Sequence, residues 1–508
     1  MSGQLFTQYF LRDGIKSTSH WKRSAAEPGA FTAFCETARR ILHAYGGAEN
    51  LNEAVTEQEV VRPLLEALGW RDYLPQQGSS GNEDIPDHLL FADAESKTRA
   101  IGQQEPRARF RSALVVQESK RLGLPLDVRD DADRASRNTP HGQILRYLET
   151  AHLASEGGIR WGMLTNGVVW RLYDHRARPR ASGFYEANLG DLTQPGREDE
   201  LCAFHLLFRR DAFTPPADAA GTFLEDALAE GRRYEEQVAR DLSTVVFERV
   251  FPRLVRALAE AADDVPEPSA TKRLSEVRRA ALIFLYRLLF VLYAEDRGLL
   301  PVNDSRYDDY GLRKRVRDDV ARRMADGDRF SSRASQYDDH LRNLFRLIDA
   351  GDPSIGLPPY NGGLFARGAA PLLETVRLPD DAVAAVVYDL SHRGTDGEHR
   401  FVNYRDMSVQ QLGSIYERLL EHEPARGADG TITIRPNPYV RKDSGSFYTP
   451  QELVDLILDH TLKPLAEERL KAFEDKAAAL HSDSRPKAER RAELSGLDPA
   501  EAVLELKV

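Results

Sequence analysis

The run Ala113-Leu114-Val115-Val116-Gln117-Glu118-Ser119-Lys120 constrains the fold more than any other stretch of the chain. Four apolar residues lead into it, and a short apolar run bounded by polar residues reads as a buried strand. It closes on Glu-x-Lys. Side chains along a strand alternate with a period of two, so Glu118 and Lys120 share one face. Upstream, Pro86-Asp87 precedes a second apolar run, Leu89-Leu90-Phe91, and the polar, charged segment from Ala92 to Arg111 connects the two. If these strands pair, Asp87 reaches the face that carries Glu118 and Lys120.

Two carboxylates held close together suit a hard divalent cation. Mg²⁺ is the default, because it keeps several waters and accepts phosphate oxygens. Such an ion lowers the pKa of a bound water and neutralises charge on a phosphodiester, while a neighbouring Lys orients the water or stabilises the transition state. These parts make a nuclease. The plainer reading is a solvated ion-pair face, since Asp…Glu-x-Lys alone is a weak pattern. The apolar runs on both sides speak against it, because a carboxylate and an ammonium leaving a buried strand need a partner or a metal.

Around this centre the pattern predicts an α/β layout for about the first 200 residues. Phe31 to Tyr45 has helical spacing. Thr56-Glu57-Gln58-Glu59 reads as a capping box opening a second helix that ends at Gly69, with Pro63 either kinking it or marking its true start. Glu59 is then a cap, or an acid reaching the metal site from the helix. Thr139-Pro140 begins another helix, in which Gln143 and Tyr147 fall on one face. Gln143 there contacts the attacking water or a phosphate, or else merely covers a half-buried Tyr. Asn166-Gly167 between apolar runs signals a hairpin.

With 508 residues the chain has room for roughly three domains of about 150 residues each. No apolar run approaches the roughly 20 residues of a membrane span, and no signal peptide is indicated. Its two cysteines, Cys35 and Cys202, exclude a disulfide framework and a cysteine zinc site and suit a reducing cytoplasm. A net charge of −11 argues against a surface that coats nucleic acid, though not against a local basic channel. Arg107 to Arg111 and Arg313 to Arg317 are the candidates; the second reads better as a solvated face.

The order of a Glu-bearing helix, Pro86-Asp87, Glu118-x-Lys120, Gln143-x-x-x-Tyr147 and an Asn-Gly hairpin resembles the PD-(D/E)xK nucleases. It is similar in particular to the N-terminal nuclease of single-chain type IIG/IIL restriction–modification enzymes. The resemblance implies Asp87 and Glu118 as metal ligands, Lys120 as the residue that positions the nucleophile, Glu59 as an assisting acid, and Gln143 and Tyr147 as the supporting motif. The long insertion between Asp87 and Glu118 departs from the family, and Asp84 competes with Asp87 for the role of acid.

The expected fold class is therefore an α/β PD-(D/E)xK nuclease-like domain (1–213), a mainly α-helical spacer (214–400), and an incomplete methyltransferase segment (401–508). Phe223 to Leu258, Ser275 to Asp296 and Tyr337 to Leu347 carry helical spacing, and Ala280 to Tyr293 is apolar nearly all round, as a buried helix is. Pro359 to Phe365, the helix from Ser408, and Gly445-Ser446-Phe447-Tyr448-Thr449-Pro450 resemble the entry to the methyltransferase domain of the same enzymes. That implies Phe447, Tyr448, Thr449 and Pro450 as residues facing S-adenosylmethionine; the plainer reading is a helix capped by Thr449. The glycine loop and the catalytic motif of that domain do not follow before Val508, so Val503 to Val508 is expected to lack a sheet, and cofactor binding and adenine methylation are expected only of a complete enzyme.

The leading expectation is thus a Mg²⁺- or Mn²⁺-dependent endonuclease of a cytoplasmic restriction–modification or phage-defence enzyme, acting on double-stranded DNA. Its other partner would be the remaining methyltransferase and target-recognition part, or a separate methylase. The alternatives are a nuclease-like fold that binds DNA without cutting, and a helical scaffold that binds a partner.

Overall fold

The computed structural model describes residues 2–46, 51–75, 86–128, 139–216, 221–263, 270–360, 362–393, 400–427, 432–436, 449, 451–481, 485, 486, 489, 490 and 493. The chain divides into two units, Met1–Gln411 and Leu412–Val508.

The first unit is built on a seven-stranded sheet. Its strands are β1 (Ser2–Gly3), β2 (Tyr73–Pro75), β3 (His88–Leu90), β4 (Val115–Ser119), β5 (Trp161–Thr165), β6 (Val169–Asp174) and β7 (Phe184–Asn188), in the order β1-β7-β6-β5-β4-β3-β2. β3 pairs antiparallel with β4, His88 facing Gln117 and Leu90 facing Val115. β4 pairs parallel with β5. A parallel neighbour needs a crossover, and the Pro140–Ala154 helix supplies it. β5 and β6 form the expected hairpin, with Gly167 at φ +86°. Asn166 Oδ1 accepts the Val168 and Val169 N–H groups at 3.0 and 2.7 Å, closing the turn.

Alternation along the strands sorts their residues between two cores. Leu90, Val115, Met163 and Leu172 pack with Val60, Leu64 and Phe204. Leu89, Val116, Leu164 and Tyr173 pack with Ile144, Leu148 and Ala151. Both faces of the central strands are covered, as the unbroken apolar runs require. By the same parity Gln117 and Ser119 face the first core, while Glu118 faces the second.

The helix ahead of the site begins earlier than the capping-box reading places it. Asn52 is the cap, accepting the Val55 N–H at 2.9 Å, and Thr56 lies inside the helix, where its hydroxyl accepts the Leu122 N–H at 3.0 Å. The polypeptide then runs through Glu53–Thr56, a π turn at Glu57–Val61, and Arg62–Ala67. Pro63 has no N–H and its ring would strike the carbonyl four residues back, at Glu59. The wide turn absorbs that conflict without ending the helix. The same device recurs at Val246–Val250, ahead of Pro252.

The polar connection between β3 and β4 is itself ordered, as a helix at Ala94–Ile101 capped by Asp93 and a 3₁₀ segment at Pro106–Ser112. The second basic stretch is a solvated face only in part: Lys314 pairs with Asp308 and Arg315 with Asp309 at the surface, but Arg317 is buried, paired with Asp318 and stacked over Phe401.

The helices Phe223–Val245, Phe251–Ala261, Ala270–Asp296, Gln336–Ala350 and Asp380–Ser391 pack in the same unit. Ala280, Ala281, Phe284, Leu285, Leu288 and Val291 are buried, as the near-continuous apolar run predicts. Among the described residues no helix is long and apolar enough to cross a membrane, and both cysteines are buried free thiols. The second unit contains the His422–Arg426 and Ile432–Pro436 hairpin and the helices Gln451–His460 and Leu462–His481. Asp84, Asn361, Phe447, Tyr448, Pro450 and 494–508 lie outside the described residues.

Candidate active site

Antiparallel register brings Asp87 to Glu118. Since His88 faces Gln117, the residue before β3 stands beside the penultimate residue of β4. The Asp87 N–H donates to Glu118 Oε2 at 3.2 Å, and the Ser119 N–H donates to Asp87 Oδ2 at 2.7 Å. Lys120 lies one residue past β4, anchored by its N–H to the Thr165 carbonyl at 2.8 Å. Its ammonium donates to Glu118 Oε1 at 2.7 Å and lies 3.8 Å from Glu53.

Burial sets the charge state of this cluster. Glu118 is 2 % exposed, and burial, then the neighbouring Asp87, pushes its carboxyl up to about 8. Burial also raises Asp87, against the pull of Lys120. Burial works against the Lys120 charge too, but Glu118, Glu53 and Asp87 outweigh it and hold the ammonium above its ordinary range. Two crowded acids beside one amine in a poorly hydrated place therefore favour keeping a proton on the pair.

The donor set is oxygen only. Among the described residues Asp87 Oδ1 accepts no hydrogen bond, and no set of three or more His, Cys, Asp or Glu side chains is arranged to hold a metal. Two carboxylates with water or phosphate completing the shell is the manner of Mg²⁺ rather than of zinc. The residues present therefore fit a hard divalent cation.

Behind the carboxylates, on the other face of the sheet, lies a buried polar chain that the sequence reading passed over. His88 Nδ1 is 2.6 Å from Gln117 Oε1, and Gln117 Nε2 donates to Ser119 Oγ at 2.9 Å. His88 Nε2 lies 3.2 Å from Glu57 Oε1, which also accepts from Arg62 at 2.5 Å. The close His88 ring, helped by Arg62, holds the Glu57 carboxyl below its ordinary value despite burial. Polar His88 and Gln117 within apolar strands were the available signal.

The other expected residues divide. Glu59 is not brought to the site; it is exposed and meets Tyr45 Oη at 3.4 Å and Gln58 Nε2 at 3.1 Å. Glu53, two turns earlier, approaches Lys120 instead. Gln143 donates to Tyr147 Oη, as their spacing predicts, on the helix that covers the Glu118 face. Among the described residues no hydrogen bond joins Gln143 to Asp87, Glu118 or Lys120. Of the residues expected at S-adenosylmethionine, Thr449 is exposed, just ahead of the Gln451–His460 helix.

No family model matches the chain, and no solved structure matches it. A protein of Methanocaldococcus jannaschii named "Putative type II restriction enzyme and methyltransferase" is 21 % identical over 481 residues, covering 84 % of this chain and 34 % of that protein. The chain thus spans about a third of the length of this relative.

Proposed function

We propose that this chain is the endonuclease and spacer portion of a restriction–modification or phage-defence enzyme, hydrolysing phosphodiester bonds of double-stranded DNA with Mg²⁺ or Mn²⁺. The observation that carries the reading is the convergence of Asp87, Glu118 and Lys120 at the adjoining ends of β3 and β4. A helix, three antiparallel strands, a crossover helix and a parallel fourth strand, in that order, support a PD-(D/E)xK assignment. Similarity to a relative named for both restriction and methylation supports the same class. Methylation of adenine with S-adenosylmethionine, and recognition of a target sequence, belong in this reading to the complete enzyme or a partner methylase, and its place is the cytoplasm.

Asp87 and Glu118 would hold the cation, which when bound supplies charge neutralisation and an acidified water. The chain's own groups do the rest. The Asp87 and Ser119 amides fix both carboxylates before substrate arrives, so little reorganisation is needed. Lys120 commits one donor to Glu118 and keeps others for a phosphoryl oxygen or the attacking water. Gln143 and Tyr147 brace the helix that covers this face.

Cleavage of duplex DNA, assayed with Mg²⁺ and with chelator, tests the reading. Asp87→Ala should abolish metal-dependent cutting and Lys120→Ala should reduce it severely, while DNA binding survives in both. Unchanged cutting in either variant would refute the assignment; binding without cutting by the unaltered chain would leave a DNA-binding module.

A further inference from the structure

A second concentration of charge lies at the opposite edge of the sheet. A cavity of about 550 Å³ opens between the segment after β1, the turn after β6, the Phe223–Val245 helix and residues 405–408. Gly231 lets the helix approach that first segment; a Cβ there would press to 3.3 Å of Thr7. Six arginines and four carboxylates line the cavity, a basic balance in a chain of net charge −11.

The carboxylates are largely committed within the protein. Asp174 takes two hydrogen bonds from Arg160, at 2.8 and 2.6 Å. Glu225 takes a third from the same guanidinium at 3.0 Å and closes the Thr222 capping box. Asp406 accepts the Gln8 and Tyr9 N–H groups at 2.8 and 3.1 Å. Glu235 is half-buried, and burial together with Asp406 pushes its carboxyl up to about 7, so it opposes an anion less than an ordinary carboxylate does.

Three of the arginines are committed as well, Arg160 to Asp174 and Glu225, Arg178 to the His175 and Ala177 carbonyls and Arg405 to the Gly3 carbonyl; the other three are less fully matched. Among the described residues the exposed Arg176 and Arg232 guanidiniums make no hydrogen bond, and only the charges of Glu225 and Glu235 lie near them. Arg297 donates from Nη2 to the Met407 carbonyl at 3.0 Å, but its Nε is buried with no hydrogen-bond partner. A buried donor left unmade is costly unless something completes it. Guanidinium forks match phosphate oxygens in charge and in plane.

We infer that this cavity is a binding site for a small polyphosphate anion, such as the phosphate chain of a nucleoside triphosphate, held by Arg176, Arg232 and Arg297. Its volume falls in the range of small-ligand pockets, about 300–1,000 Å³, and its walls enclose a chain of a few phosphates rather than a duplex. Leu5, Phe6, Leu228 and Met407 offer apolar contact to a group attached to that chain. Because the walls come from both sheet and helices, an occupant would tie the two layers together. The site stands apart from Asp87, Glu118 and Lys120 and does not depend on their chemistry.

Calorimetry on the whole chain, without divalent metal, tests it with sodium tripolyphosphate, ATP and a short duplex. Tripolyphosphate and ATP should each bind once per chain and raise the melting temperature. The double variant Arg176→Ala/Arg232→Ala should weaken both at least tenfold while melting like the parent when no ligand is present; Lys120→Ala should leave both unchanged. The inference is overturned if tripolyphosphate gives no binding up to millimolar concentration. It is equally overturned if the double variant binds as the parent does, if Lys120→Ala removes binding, or if the duplex competes for the site.

Discussion

Asp87 and Glu118 hold each other in place through the backbone: the Asp87 amide donates to Glu118 Oε2, and the amide after Glu118 donates to Asp87 Oδ2. Neither carboxylate can swing away without losing a bond across the β3–β4 pair. This reciprocity makes the acids a preformed pair, and their proximity governs what the site does with protons.

Cation binding should release a proton near neutral pH. Glu118 carries its proton until about pH 8 in the metal-free protein; a metal ligand must be ionised. Apparent Mn²⁺ affinity should therefore rise with pH, by about tenfold per unit at most, and level off above about 8. Calorimetry at pH 7 in buffers of different ionisation enthalpy should report about one proton released. Equal heats in all buffers would contradict it, and Glu118→Gln should remove both binding and release.

Lys120→Ala separates positioning from metal binding. Losing one charged donor aimed at a transition state costs on the order of 10² to 10³ in rate. Cleavage should fall by that factor, while Mn²⁺ affinity holds or increases, because Glu118 loses its competing ammonium partner. A parallel loss of metal affinity would make Lys120 a structural residue instead.

Glu57 and Glu59 should behave oppositely. Glu57→Ala strips the carboxylate from His88 and Arg62 and should cost about 1–3 kcal/mol in urea unfolding. Glu59→Ala touches a surface contact and should stay within about 0.5 kcal/mol, with cleavage unchanged. A Glu59→Ala protein that folds but does not cut would restore the assisting role expected of that residue.

Away from the site, Glu295 should make stability depend on pH. It is 1 % exposed and accepts from Tyr307 Oη, Leu312 N–H and Arg313 N–H at 3.0, 2.7 and 2.9 Å. Burial pushes its carboxyl up to about 7. The folded state then binds the proton more tightly than the unfolded one, so its contribution is full below the ordinary Glu range and is lost as pH rises through about 7. Glu295→Gln should cost about 1–3 kcal/mol and flatten the decline in melting temperature between pH 5 and 8. An identical slope in parent and variant would sink the assignment.

Where the sequence was readable, a single local rule decided the outcome. Period-two alternation and flanking apolar runs located Glu118 and Lys120, antiparallel pairing located Asp87, and Asn166-Gly167 located its hairpin. Which helix acid meets the site was not readable, because the Thr56/Glu59 spacing imitates a cap that Asn52 supplies and because the π turn shifts the phase of the helix. The His88–Gln117–Glu57 chain was hidden for a different reason. Its members come from three segments, and only the fold brings them together.

The loosened turn at Glu57–Val61 acts as a hinge of rotation in the sequence itself. Each residue added to or removed from a helix turns everything beyond it by about 100°. A one-residue deletion there, which would tighten the turn and look harmless by composition, would swing Glu53 off the Lys120 side and carry the Thr56 hydroxyl away from Leu122. The spare residue keeps the N-terminal end of this helix aimed at the strand ends despite a proline that would otherwise break it.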